Sequence, residues 1–252
     1  MATTFSIITV CYNAAKCIEP TIASLSAQTW PSIDFVVVDG NSKDGTQAIV
    51  RRHAERVSTF VSEPDQGIFD AMNKGTRLAK GDVLFFLNAD DAFCDPTVLA
   101  DVARAFEADP SLDLVFGNVI HTSGQGASQG RRRHSFHWIN ERNIYSGDLC
   151  HQAVFARRQL FERVGGFDLR YPINADYDWL LRVFQSGARY RFIDRDICTF
   201  AEGGFHMQNP EKLHRERWSI KCKYHPAWRV WLGYWTLRVN LKLRKLRGEH
   251  IS

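Results

Sequence analysis

Three short runs of this 252-residue chain show no polar alternation: FSIITV at 5–10, FVVV at 35–38 and VLFFL at 83–87. A strand with one wet face alternates apolar and polar residues, whereas a strand covered on both faces does not. Between the runs, apolar residues fall at helical spacing, as in Ile18, Ile22 and Leu25. The pattern predicts strands near 5–10, 35–38, 57–61, 83–87 and 112–119. Helices are expected over 16–28, after Asp44, over 68–78 and after Pro96. Together they make a mostly parallel sheet with helices on both faces.

Ligands of such sheets bind beyond the carboxyl ends of the strands. Here those ends carry Thr9, Tyr12 and Asn13, then Asp39, then Glu63 and Asp65, then Asn88, Asp90 and Asp91. Unpaired carboxylates are not tolerated at the end of a buried strand, so a positive partner is expected. Clustered Asp without His/Cys pairs favours a hard, oxygen-loving cation such as Mg²⁺ or Mn²⁺. Neither a GxxxxGK[ST] loop nor a GxGxxG after the first strand is present. Phosphates are therefore expected on the metal, and a diphosphate leaving group neutralised by it fits the layout.

After residue 120 the pattern changes. Residues 121–135, opening HTSGQGASQGRRRH, read as a mobile loop. A short strand is expected at 150–155, a helix at 159–164 ended by Gly165-Gly166, a helix from Asp176 through Phe184, and a strand at 190–194. The second half thus reads as α+β built onto the same sheet. The six cysteines form no CxxC pair and read as reduced thiols of a cytoplasmic protein. The opening MATTFSIITVCYN has no basic n-region, so no signal peptide is expected. No window approaches 18 uninterrupted apolar residues, which argues against a spanning helix.

Four blocks, ITVCYNAAKCIEPTIASLSAQTW, VVVDGNSKDGT, SEPDQGIFDAMNKG and GDVLFFLNADD, resemble successive blocks of the family 2 glycosyltransferases. CHQAVFARRQLFERVGGFD and ADYDWLLRV resemble the acceptor-side half of the same family. The resemblance runs in order over roughly residues 4–205. It implies an inverting, nucleotide-sugar-dependent enzyme of the GT-A fold, a Rossmann-like α/β architecture. The implied domain covers 1–206, with a nucleotide-sugar half at 1–119 and an acceptor-side half at 120–206. By the same resemblance Thr9, Tyr12 and Asn13 line the nucleotide pocket, and Asp39 bonds the base or ribose. Asp65 and Lys74 contact the nucleotide or its phosphates. Asn88-Ala89-Asp90 takes the DxD position, with Asp90 the metal ligand, and Asp176 stands where the family places its general base. His151 is either an acceptor contact or a satisfied structural histidine, and His206 is a candidate further metal ligand.

Three departures stand out. The first DxD position is an amide, Asn88; the residue before the base is Ala175; and His206 replaces a common Ser. The implied partners are a nucleotide diphosphate sugar and a hydroxyl acceptor, lipid-linked if the setting is surface polysaccharide or glycolipid assembly. A nucleotidyltransferase shares the sheet and the carboxylates, but YNAAKCIEP is a poor match to its Gly-rich signature. A non-catalytic sugar-nucleotide binder could dispense with Asp90 or Asp176, and both are present.

Residues 207–252 form a separate basic, aromatic and helical appendage. Lys212 to Arg247 carries eleven Lys and Arg with Glu216 as its only acid, interleaved with Trp218, Tyr224, Trp228, Trp231, Tyr234 and Trp235. Cations favour anionic lipid and aromatics favour the headgroup zone, so a peripheral helix on the inner face of the cell membrane is expected. The competing reading packs the aromatics on the domain and leaves the cations solvated. Nucleic acid is not expected, because the body offers no matching basic face.

Overall fold

A computed structural model describes residues 3–123, 130–141, 143–145, 149–201, 210–226, 228 and 230–231. The first half alternates as the apolar runs require: β1 (Phe5–Cys11), α1 (Ile18–Ser26), β2 (Ile33–Asp39), α2 (Thr46–Arg52), β3 (Thr59–Ser62), α3 (Ile68–Leu78) and β4 (Val83–Phe86). The second half contains β5 (Ala92–Phe93), α4 (Val98–Ala108), β6 (Leu114–Ser123), β7 (Gly130–His134), β8 (Val154–Arg157), α5 (Arg158–Val164), α6 (Ala175–Gln185) and β9 (Tyr190–Ala201). The chain divides into two compact units, Met1–Gly204 and Phe205–Ser252, and the second contains α7 (Pro210–Tyr224).

The strands lie in the order β3-β2-β1-β4-β8-β6-β9-β5, with β7 added on β6. β1 to β4 are mutually parallel, and β2 pairs with β1 from Phe5↔Ile33 to Cys11↔Asp39. β8 enters antiparallel to both β4 and β6, which leaves β6 and its parallel partner β9 running with β4. The start of β8 therefore lies at the same sheet edge as the carboxyl ends of β1 to β4.

Burial follows the absence of alternation. Every residue of β1 and β4 is buried, and so is β2 from Asp34 onward. Phe85 of β4 stacks on Phe155 of β8 at 4.2 Å and on Phe93 of β5 at 5.4 Å. Phe5 meets the edge of Phe155 at 5.8 Å, so one aromatic cluster spans the seam between the halves. α3 lies flat on β1 because Gly75 has no side chain; a Cβ there would stand 2.4 Å from Ile8 Cγ2.

Three expectations shift. The Arg131–Arg133 segment, expected as a mobile loop, is strand β7, paired antiparallel with the extended end of β6. Its charged run conceals the strand in sequence, but Arg133 is held by Asp194 and Asp196 of β9. Residues 151–153 form a single 3-10 turn, so the strand expected at 150–155 begins at Val154. β9 is more than twice as long as its expected core at 190–194 and takes β5 as an antiparallel partner.

Phe85→Ala should lower the free energy of unfolding by about 3–5 kcal/mol, through lost burial and the cavity left at the seam. Denaturant titration measures this, and an unchanged midpoint would show that the cluster does not support the fold.

Candidate active site

The carboxyl ends of β1, β2 and β3 are tied together by side chains of the GNSKDGT loop. Asp39 is fully buried and accepts from Ser42 N at 3.0 Å, from Ser62 Oγ at 2.6 Å and from the Ser42 hydroxyl. Its neighbour Cys11 donates at 3.6 Å; burial first, then the Asp39 charge, pushes that thiol far above its ordinary range. Three successive backbone N–H groups, of Asn13, Ala14 and Ala15, donate to Ser42 Oγ, Thr46 Oγ1 and Asp44 Oδ2 at 2.7–2.9 Å. Asp44 also accepts from Thr46 N at 3.0 Å, a turn contact one residue ahead of the N-cap of α2, which is Gly45. Asn13 takes a positive φ of 51° and accepts from Lys43 N at 3.0 Å. Thr9 is fully buried, with its hydroxyl donated to Leu87 O at 2.7 Å.

Tyr12, by contrast, is 68% exposed. It stands beside Gly40, where a Cβ would come within 3.3 Å of the Tyr12 ring and 2.5 Å of Asp65 Oδ2. The bare backbone at Gly40 lets the ring and the carboxylate close over the end of β2. Asp65 Oδ1 accepts from Gly67 N at 2.8 Å. Lys74 is bound into the same loop, to Glu63 at 2.9 Å, Pro64 O at 2.8 Å and Asp70 at 3.6 Å. The Glu63 contact holds its amine above the usual range.

Beyond β4 the chain makes the Asn88-Ala89-Asp90-Asp91 turn. Thr21 of α1 is buried under it, with Oγ1 2.9 Å from Ala89 O and 2.7 Å from Asp91 O. Asp91 is buried, whereas Asp90 is open to solvent. The protein still crowds one side of the Asp90 carboxyl, and desolvation raises its pKa. Asn88 Oδ1 is buried with no hydrogen-bond partner. An orphaned amide oxygen beside a desolvated carboxylate is a pair of hard donors that suits Mg²⁺ or Mn²⁺. Among the described residues no group of three His, Cys, Asp or Glu gathers to hold a metal unaided, and His206 lies outside those residues.

The opposing side comes from the 3-10 turn and the start of α6. Asp176 Oδ2 lies 2.9 Å from His151 Nδ1, and its Oδ1 accepts from Tyr177 N at 2.8 Å. Asp178, two residues on, is fully buried and bonded to Arg182 Nε at 2.9 Å. Arg182 also donates to Val164 O, Gly165 O and Gly166 O, fixing the Gly-Gly turn after α5. Asn73 of α3 reaches the same turn from the other half, donating to Phe167 O at 2.9 Å and accepting from Phe167 N at 2.8 Å.

The parallel first half, the antiparallel entry of β8 and the carboxylates at one edge define a GT-A glycosyltransferase fold. Comparison with known proteins agrees. The sequence profile described as "Glycosyl transferase family 2" matches residues 6–165. A "PGL/p-HBAD biosynthesis glycosyltransferase" of Mycobacterium tuberculosis is 37% identical over 209 residues, covering 79% of this chain and 77% of the relative. Among solved structures, S. aureus TarS 1–349 in complex with UDP-GlcNAc superposes with a TM-score of 0.70 at 21% identity, over 86% of this chain. The mannosyltransferase PcManGT from Pyrobaculum calidifontis, in complex with GDP-Man and Mn²⁺, gives 0.67 at 22% over 88%. This chain spans 65% of each of those two chains. The protein belongs to glycosyltransferase family 2 and is a glycosyltransferase.

No local signal singles out Thr21 or Asn73, since each acts on backbone 70 or 94 residues away. Thr21→Val should strip two buried carbonyls of their donor and cost about 1–3 kcal/mol. Urea unfolding tests it, and full native stability would mean that the turn holds its shape unaided.

Proposed function

We propose that this enzyme moves a sugar from a nucleoside diphosphate sugar to a hydroxyl acceptor, with inversion at the anomeric carbon. The reading is carried by one observation: Asn88 and Asp90 at the end of β4 share a sheet edge with Asp176 at the start of α6. The exposed Tyr12 ring supplies a stacking face for the base, with Asp65 beside it as an acceptor for base or ribose N–H or O–H groups. Asp39 and Thr9 serve the pocket indirectly, through the backbone they fix, as Lys74 does by shaping the β3–α3 loop. Asn88 and Asp90 would hold Mg²⁺ or Mn²⁺ against the diphosphate, where the cation neutralises charge on the leaving group.

Inversion requires one in-line attack. The acceptor oxygen forms its bond to the anomeric carbon, the carbon–diphosphate bond breaks with its electron pair leaving on the diphosphate, and the acceptor proton passes to Asp176. Asp178 cannot share that role, being buried against Arg182 on another face of α6. Release of a nucleoside diphosphate rather than pyrophosphate separates this reading from nucleotidyl transfer.

A panel of sugar nucleotides, UDP-GlcNAc and GDP-mannose included, should reveal a donor from which nucleoside diphosphate is released. With that donor Asp90→Ala should nearly abolish turnover, as should a chelator, reversibly with added Mn²⁺ or Mg²⁺. Asp176→Asn should cut the rate at least ~10²-fold with donor affinity unchanged. Full turnover in excess chelator would refute the metal reading. Normal transfer by Asp176→Asn, with loss in Asp178→Asn at native stability, would refute the base assignment.

The basic C-terminal unit serves, in this proposal, to dock the enzyme on an anionic membrane bearing its acceptor. Trp218, Trp228 and Trp231 are exposed aromatic surface of the kind the headgroup zone takes up. Among the described residues no helix is long and apolar enough to cross a membrane, and residues 232–252 lie outside them. The full chain should cosediment with phosphatidylglycerol vesicles and a chain ending at residue 226 should not. Equal sedimentation of the two would remove the tail from this role.

A further inference from the structure

Asp176 does not stand alone. We propose that His151 is a positioning residue for the catalytic base, its ring holding the Asp176 carboxylate in the plane needed to accept the acceptor's proton. The inference rests on the base assignment above and extends it to a second residue.

An ionised carboxylate has no proton to donate, so the hydrogen in the 2.9 Å contact sits on His151 Nδ1. His151 Nε2 then presents only a lone pair, and it is buried with no hydrogen-bond partner. The opposite tautomer would bury an unpaired N–H and set two acceptors against each other at Nδ1. Of the two neutral tautomers, the Nδ1–H ring is the one this environment selects.

The backbone places the pair where it is needed. β8 runs antiparallel to β4 with Leu84↔Ala156, so the turn holding His151 comes to the edge where the Asn88–Asp91 turn begins. The terminal torsion of an aspartate is broad, and a carboxylate free to rotate presents its lone pairs in no fixed direction. Here Oδ2 is fixed by a rigid ring on one element and Oδ1 by Tyr177 N on another. Holding a base within a fraction of an ångström of the productive geometry is what such supporting contacts supply. The Asp176 side chain is also the more exposed of the two, at 24% against 16%, and Nε2 is buried, so the carboxylate is the group of the pair that an acceptor can reach.

Ring ¹⁵N spectra of the full chain, assigned by the resonance lost in His151→Asn, read the tautomer without any substrate. The expected result is Nδ1–H with an unprotonated Nε2. In the kinetic arm, with the donor found by the panel, His151→Ala should lower kcat at least ~10-fold while the donor KM and melting temperature stay native. His151→Asn, whose amide puts an N–H near the Nδ1 position, should recover most of that loss, and His151→Gln, whose amide lies near Nε2, should not. An Nε2–H ring in the native protein overturns the proposal, as does native kcat in His151→Ala. Rescue by Gln with failure of Asn also overturns it, since that marks a role for Nε2. If no sugar nucleotide turns over, the transfer reading fails, while the ring spectrum still decides the pairing.

Discussion

The antiparallel seam between β4 and β8 is the contact on which the rest depends. It is short, with Val83↔Arg157 and Leu84↔Ala156 in register, and Arg158 N donates to Asp82 O at 2.9 Å. What secures it is the stacking of Phe85 on Phe155, out of solvent. A parallel partner at this position would have carried the His151 turn to the far edge of the sheet. Because β8 runs the other way, its first residues arrive beside the carboxyl end of β4. The Asn88–Asp91 turn and the His151–Asp176 pair then share one edge, though 86 residues separate Asp90 from Asp176.

Carboxylates at that edge sort by what satisfies them. Asp39 accepts from two serines and a thiol. Asp178 is spent on Arg182, and through it on three carbonyls of the Gly-Gly turn. Asp44 is spent on Ala15 and Thr46. Asp90 is left open to solvent and desolvated on one side, next to an orphaned amide oxygen. Buried polar groups are nearly always bonded, so the acceptor without a partner marks the place where a ligand is expected to complete the set.

Much of the first half was legible in the sequence because its strands are buried on both faces and its helices are amphipathic, two signals that periodicity reads directly. The strand-end residues could be placed on one edge for the same reason. The second half was less legible. The Arg131–Arg133 strand carries its pairing on exposed charged residues, and the turn at His151–Ala153 holds no Gly, Pro, Asn, Asp or Ser to mark it as a turn. Asp39 reads as a ligand from its position, yet its bonds come from Ser42 and Ser62, which only the folded loops bring together. Neither the pairing of His151 with Asp176 nor the reach of Thr21 and Asn73 leaves a local signature. Each is a contact between segments whose meeting is decided by the sheet order.

The central claim is that a base at Asp176 and a leaving group at Asp90 flank the sugar from opposite sides in a single displacement. The anomeric configuration of the first product formed tests this most directly. Proton NMR of the transferred sugar, whose glycosidic linkage locks the anomeric centre, reports it through the H1–H2 coupling for gluco- and galacto-configured sugars, and through the one-bond C1–H1 coupling for manno-configured ones. The account predicts a configuration opposite to that of the donor. Retention would contradict it, since two displacements or a same-face attack would then be required in place of the single in-line attack.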